Sequence, residues 1–183
     1  QYYRSLGNYD GALKDYSQAV EIEPKNPELL NSRGKTYFDM AMSGKFQSKE
    51  GEYVLKALSD YTEALSKPKI KDKSRAEILI NRGAAEGARG NNNQAINDIS
   101  EGLKFDATNK NGYFNRSIAY FSVKQYDKAL ADYTEYLKYD PNNANVWYES
   151  GMILRTLNRS EEAIKALDQA IQLNPNFGVA YIE

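Results

Sequence analysis

Residues 110–143 read KNGYFNRSIAYFSVKQYDKALADYTEYLKYDPNN, and residues 144–177 read ANVWYESGMILRTLNRSEEAIKALDQAIQLNPNF. Laid one above the other, they are two copies of one 34-residue pattern. Tyr113 falls on Trp147, Ser117 on Gly151, Ala129 on Ala163 and Pro141 on Pro175. A fixed period of roughly 20–50 residues marks a stack of similar supersecondary units, each too small to bury its own apolar face.

Within each copy the spacing predicts two helices. In the second, Ala129, Tyr133, Tyr136 and Leu137 fall at i, i+4, i+7 and i+8, one buried stripe. Ala163, Leu167, Ala170 and Ile171 repeat it, and so, earlier in the chain, do Ala95, Ile99, Gly102 and Leu103. Ala57, Tyr61, Ala64 and Leu65 match Ala12, Tyr16, Ala19 and Val20, but at 45 residues instead of 34. The difference is an insertion between Phe38 and Tyr53. Both flanking helices are expected to lengthen by a turn or more, with a polar tip broken at Gly44 and Gly51. Asn26-Pro27-Glu28 has the residues of a helix start: a capping side chain, a proline in the first turn and an acid at the positive end of the dipole. Residues 66–75 read as a basic connector, with capping-box spacing from Ser74 to Glu77. Residues 1–6 read as the end of a helix, with Tyr3 and Leu6 on one side, followed by a Gly7-Asn8 turn. Gly178–Glu183 open a further unit, with Tyr181 in the place of Trp147. Gln1 therefore falls inside a repeat, and the sequence reads as a piece of a longer chain.

These residues resemble the tetratricopeptide repeat family. Trp147, Gly151, Ala163, Leu167, Ala170 and Pro175 match its pattern, with Leu154 in place of the usual Tyr. The resemblance covers essentially the whole chain. It implies an all-α fold: a right-handed α-solenoid of antiparallel helix pairs, about five units with the first and last truncated. The units are 1–26, 27–75 with an insertion over 39–52, 76–109, 110–143, 144–177 and a partial 178–183. Gly34, Gly83, Gly151 and the recurring alanines sit where the paired helices must cross closely. Most of the 15 tyrosines fall on these contact positions and are expected in the core. Departures from the pattern gather in the second and third units: Glu86 replaces the Tyr or Leu of other copies, Pro68 comes one place early, and Ala107 replaces a Pro. Tyr136 stands where other units have Ala or Gly.

Composition narrows the function. Hydrophobic residues make up 41% and charged residues 27%, as in a globular chain, and net charge is −1. No basic surplus is available for phosphate, so nucleic acid is not an expected partner. No apolar run approaches the length of a membrane span. Cysteine and histidine are both absent, which removes thiolate nucleophiles, Cys/His zinc sites and the usual general base. No catalytic, metal or cofactor set is visible, and the chain is read as no enzyme. The compartment stays open.

Two patterns recur beside the core stripe. Arg33, Arg82 and Arg116 precede the crossing position of the first helix, and Asp15, Asp60, Asp98 and Asp132 precede the second-helix aromatic. The fifth unit loses both, with Ser150 and Ala166. Joint loss suggests the pairs Arg33–Asp60, Arg82–Asp98 and Arg116–Asp132 across each unit; a charged binding strip is the alternative. Glu86 is expected at the rim, paired with Arg89 or a neighbour.

The family resemblance also implies a groove lined by first helices. It would present Lys35 and Phe38, then Asn81 and Ala84, then Asn111, Phe114, Asn115, Ile118 and Phe121, then Tyr148. Small residues at Ala84, Gly87 and Ala88 are expected to leave a hollow beside Phe38 and Phe114. Asn81 and Asn115 occupy equivalent places, where asparagines of the family often bind a peptide main chain; an Asn also simply tolerates a wet helix face. The lysine, asparagine and arginine clamp by which some members hold chaperone C-termini is absent, since Asn31 and Asn111 stand where lysines are needed. The expected role is an interaction module that takes an extended peptide or helix with apolar side chains. The alternatives are a self-assembling scaffold and the docking region of a larger multidomain protein.

Overall fold

The computed structural model describes residues 8–46 and 48–175. The helix end at 1–6, Gly7 of the first turn and the sixth unit at 178–183 lie outside the described residues. Among the described residues every regular element is an α-helix. They are α1 Tyr9–Ile22, α2 Pro27–Met42, α3 Glu50–Ser66, α4 Asp72–Ala88, α5 Asn92–Phe105, α6 Lys110–Ser122, α7 Tyr126–Tyr139, α8 Ala144–Thr156 and α9 Ser160–Leu173. The chain divides into two compact units, 1–115 and 116–183, with the division inside α6.

In the first unit α2 pairs with α3 and α4 with α5, while α1 packs on α2 and α3 on α4. Leu30, Ala57, Tyr61 and Ile78 are fully buried at its centre. The crossings need glycine. A methyl group on Gly34 would sit 2.7 Å from the Tyr61 ring, and one on Gly83 would sit 2.5 Å from Ile99 Cγ1 and 3.0 Å from the Ala95 carbonyl oxygen. In the second unit α8 pairs with α9 and α7 packs on α8. Ala129, Ala163, Val146 and Ile153 are buried there. All five stripe alanines, from Ala12 to Ala163, are at most 3% exposed.

The turns within pairs repeat with the same period. Gly90, Lys124 and Asn158 all have positive φ, at 85°, 60° and 59°. The following amides, of Asn91, Gln125 and Arg159, donate back to the carbonyls of Glu86, Tyr120 and Leu154 at 2.9 Å each. This is the backbone arrangement that closes a helix with one left-handed residue. Only Gly90 carries the usual sequence signal for it.

Asn26 caps α2 as expected: its Oδ1 accepts from the Glu28 amide at 3.1 Å, with Pro27 in the first turn. Three local expectations are corrected. Gly51 does not break the insertion; it lies in α3, which starts at Glu50, and Gly44, at φ 66°, is the glycine of the tip. The connector is shorter than 66–75, because α4 begins at Asp72. Its one aliphatic residue, Ile70, is 8% exposed and belongs to the first core. Ser74 caps nothing; its hydroxyl donates to Glu28 Oε1 at 2.8 Å, tying α4 to α2. The insertion lengthens its helices modestly, α2 to 16 and α3 to 17 residues, against 13 or 14 in α6 to α9.

Candidate functional site

Three side-chain links join the first helices α2 and α4. Glu28 receives Ser74, Lys35 Nζ meets Glu77 Oε1 at 3.0 Å, and Asn81 Nδ2 donates to Asn31 Oδ1 at 2.9 Å. Lys35 and Asn81 are thereby brought to one surface, each with part of its hydrogen-bonding capacity used within the chain. Among the described residues Asn81 Oδ1 accepts no hydrogen bond, and the Lys35 ammonium is half-exposed. Phe38 is half-buried against the Leu30–Tyr61 core, so its role there is partly structural. Ala84 and Gly87 are half-buried; a methyl group at Gly87 would meet only the Ala95 Cβ, at 3.7 Å.

On α6, Phe114, Ile118 and Phe121 follow at i, i+4 and i+7, a single stripe. Phe114 is half-buried, while Ile118 and Phe121 are both 44% exposed. Phe121 leans on Tyr126, with ring centroids 5.5 Å apart. Asn111 is exposed on the same helix; Asn115 is half-buried and its side-chain amide makes no hydrogen bond among the described residues, leaving its donor and acceptor available. Tyr148 is half-buried on α8.

Each expected Arg–Asp pair is present. Arg33 holds Asp60 at 2.9 and 2.7 Å, Arg82 holds Asp98 at 2.6 and 2.8 Å, and Arg116 holds Asp132 at 2.7 and 2.8 Å. Each is a two-pronged contact joining the two helices of a pair, with the aspartates buried. Burial pushes the Asp60 carboxyl above its ordinary value, against the pull of Arg33. The hydrogen bonds that Arg33 donates to Asp60 in turn hold its guanidinium above the ordinary value. These residues are committed to packing and are not a charged strip open to a ligand. Glu86 accepts from Asn91 Nδ2 at 2.6 Å and lies 3.9 Å from Arg89, a rim position as expected.

Residues 1–40 match the family described as TPR repeat, and residues 114–176 match the family described as Tetratricopeptide repeat, together more than half of the chain. The chain belongs to the tetratricopeptide repeat family. Among its relatives is human DnaJ homolog subfamily C member 7, 35% identical over 118 residues, 63% of this chain and 24% of that protein. The chain thus spans about a quarter of the length of that relative. A crystal structure of MamA is similar at a TM-score of 0.77, with 20% identity over 97% of this chain and 95% of that one. YrrB, described as a TPR protein with an unusual peptide-binding site, is similar at 0.70, with 17% identity over 96% and 82%. At these identities the likeness shows the fold, an α-solenoid of helix pairs.

A tetratricopeptide fold supports a role in protein–protein interaction. Among the described residues no group of three or more His, Cys, Asp or Glu is placed to hold a metal, and no helix is long and apolar enough to cross a membrane. The second unit holds one feature that the sequence reading missed. A cleft of about 700 Å³ opens among α7, α8 and α9, lined by Leu130, Leu137, Trp147 and Leu154, with Ser150 and Ala166 in its wall. The signal was the joint loss of Arg and Asp in the fifth unit. It marks not just a missing ion pair but an unfilled space.

Proposed function

We infer that the chain is an interaction module that binds an extended peptide or helix through the exposed faces of its first helices. The observation that carries this reading is the stripe on α6. Ile118 and Phe121 are each 44% exposed on a helix whose opposite face is already packed, and Asn115 stands beside them with its amide available. Apolar side chains held in solvent next to an amide that can donate and accept suit a partner with apolar side chains and an accessible main chain. In the first unit Lys35, Phe38, Asn81 with its open acceptor, Ala84, Asn111 and Phe114 are further proposed contacts, and in the second unit Tyr148 is. YrrB, of similar fold, is described as having a peptide-binding site, which supports peptide capture as a use of this architecture.

The test is selection of binding peptides from a displayed random library, followed by anisotropy titration of those recovered. Ile118→Glu and Asn115→Ala should each weaken binding by roughly tenfold or more, with unchanged helical circular dichroism. Unchanged affinity in both variants would remove the first-helix face as the site.

A further inference from the structure

The connector between α3 and α4 and the first turn of α4 carry cations without ion-pair partners. At Lys69 the backbone turns left-handed, with φ 60°, and the next side chain, Ile70, is buried in the first core. Its neighbours Lys69 and Lys71 are both exposed. One turn into α4, the Arg75 amide donates to the Lys71 carbonyl at 2.8 Å, and the Arg75 guanidinium lies 5.8 Å from the centroid of the Phe105 ring. That contact holds a half-buried guanidinium at the end of α5. Among the described residues Lys69, Lys71, Lys73 and Arg75 form no ion pair, and the Arg75 guanidinium makes no hydrogen bond. The acids of the neighbouring elements are engaged elsewhere. Glu63 holds Lys67 at 2.7 Å, Glu77 holds Lys35 at 3.0 Å, Glu101 holds Lys104 at 2.6 Å, and Glu28 accepts from Ser74. Asp106 accepts from Thr108 and Asn109 and also feels the charge of Lys73. Asp72, exposed between Lys71 and Lys73, forms no ion pair among the described residues. Four cations thus stand against two carboxylates, Asp72 and Asp106, in a chain whose net charge is −1.

We propose that the start of α4 is a docking site for an acidic segment of a protein partner, in which one carboxylate meets both prongs of the Arg75 guanidinium beside Phe105 and the neighbouring acids are set against Lys71 and Lys69. A guanidinium already oriented by an aromatic ring loses little freedom on meeting a planar carboxylate, and two parallel hydrogen bonds give a direction that an ammonium does not. The lysines select the charge of the partner and speed its arrival. A nucleic-acid strand fits less well. Phe105, the ring beside these cations, already carries Arg75, Asp72 repels phosphate, and the net charge provides no wider basic surface. The site uses neither the asparagine amides nor the apolar stripe of the first-helix face.

The probe is a tetramethylrhodamine-labelled synthetic peptide of alternating glutamate and alanine, titrated by anisotropy at low salt. The chain should bind it, more weakly as salt is added, and should not bind the same peptide with lysines in place of the glutamates. Arg75→Gln should weaken binding by roughly tenfold, and Arg75→Lys, which keeps the charge but loses the fork, should weaken it several-fold. The double variant Lys69→Glu with Lys71→Glu changes only exposed side chains. It should abolish binding with the melting temperature unchanged, and it decides the matter should the Arg75 variants fail to fold. The proposal is overturned if the acidic peptide does not bind, or binds the double variant or either folded Arg75 variant as tightly as the original chain. It is equally overturned if Ile118→Glu removes binding, which places the peptide on the first-helix face. Tighter binding of an oligothymidylate, or of phosphatidylserine vesicles, than of the acidic peptide would assign these cations to phosphate groups and would also overturn it.

Discussion

Arg116 and Asp132 meet through two parallel hydrogen bonds, Nε to Oδ2 at 2.7 Å and Nη2 to Oδ1 at 2.8 Å, across the α6–α7 pair. The arginine side chain is 18% exposed and the aspartate 6%. That places the contact well beyond the exposed ion pairs worth about 0.2–1 kcal/mol. Removing the guanidinium alone strands a buried carboxylate. Arg116→Met should cost about 3 kcal/mol, and Arg116→Met with Asp132→Leu much less. A double-mutant cycle by urea denaturation should give a coupling above about 1 kcal/mol. Additive losses would mean that the pair is incidental.

Two glycines of α4 should respond in opposite directions to the same change. A methyl group at Gly83 would lie 2.5 Å from Ile99 Cγ1 and 3.0 Å from the Ala95 carbonyl, and backbone cannot step aside as a side-chain tip can. Gly83→Ala should lose about 1–3 kcal/mol. Gly87 has only an ordinary contact, 3.7 Å from Ala95 Cβ. Gly87→Ala should gain about 0.5–1 kcal/mol by restricting the unfolded chain. Thermal melts of both variants check this, and equal shifts would contradict the crossing geometry.

The same crossings show what could be read from the sequence and what could not. The stripe alanines and the three Arg–Asp pairs were legible because each needs only its own unit, repeated at a fixed period. Ser74 was misread because its hydroxyl answers to Glu28, 46 positions away, and not to the local helix start. Lys124 carries a left-handed turn that only its repeat relationship to Gly90 betrays. On the first-helix face, sequence could mark Lys35 and Asn81 as outward. It could not show that Glu77 and Asn31 already take part of their hydrogen bonding. The α7–α9 cleft escaped because it is a property of what Ser150 and Ala166 leave empty.

Asp106 makes the acid limb of stability testable. Its carboxylate accepts from the Thr108 hydroxyl at 2.7 Å and the Thr108 amide at 3.1 Å, in the turn between α5 and α6. The Thr108 hydroxyl chiefly, helped by its amide and by Asn109, holds the Asp106 carboxyl below its ordinary value of 3.8. A lowered folded value means that the unfolded chain binds the proton more tightly. The stabilising contribution is therefore complete above 3.8 and lost as pH falls through the lowered value. Asp106→Asn should flatten this part of the profile. Denaturant midpoints of the two chains, followed from neutral pH into the acid range, should converge as pH falls. Parallel curves would show that the turn does not depend on the charge.

Phe46, at the tip of the insertion, ties the first helix to the lengthened pair. Its ring meets Tyr9 of α1 edge-on at 6.4 Å and Tyr53 of α3 edge-on at 5.6 Å. Tyr53 in turn stacks on Tyr37 of α2 at 6.2 Å, and Lys56 Nζ lies 5.6 Å from the Tyr37 ring centroid. Edge-on aromatic pairs contribute about 0.5–1.5 kcal/mol each beyond the area they bury. Phe46→Ala breaks both contacts at once but leaves the Tyr37–Tyr53 stack in place. The loss, about 1–3 kcal/mol, should fall on α1, whose main packing partner is α2. Amide hydrogen exchange should accelerate along Tyr9–Ile22 and stay unchanged along Asn92–Phe105. Uniform acceleration over both helices would show instead that the insertion supports the whole first unit rather than the seating of α1.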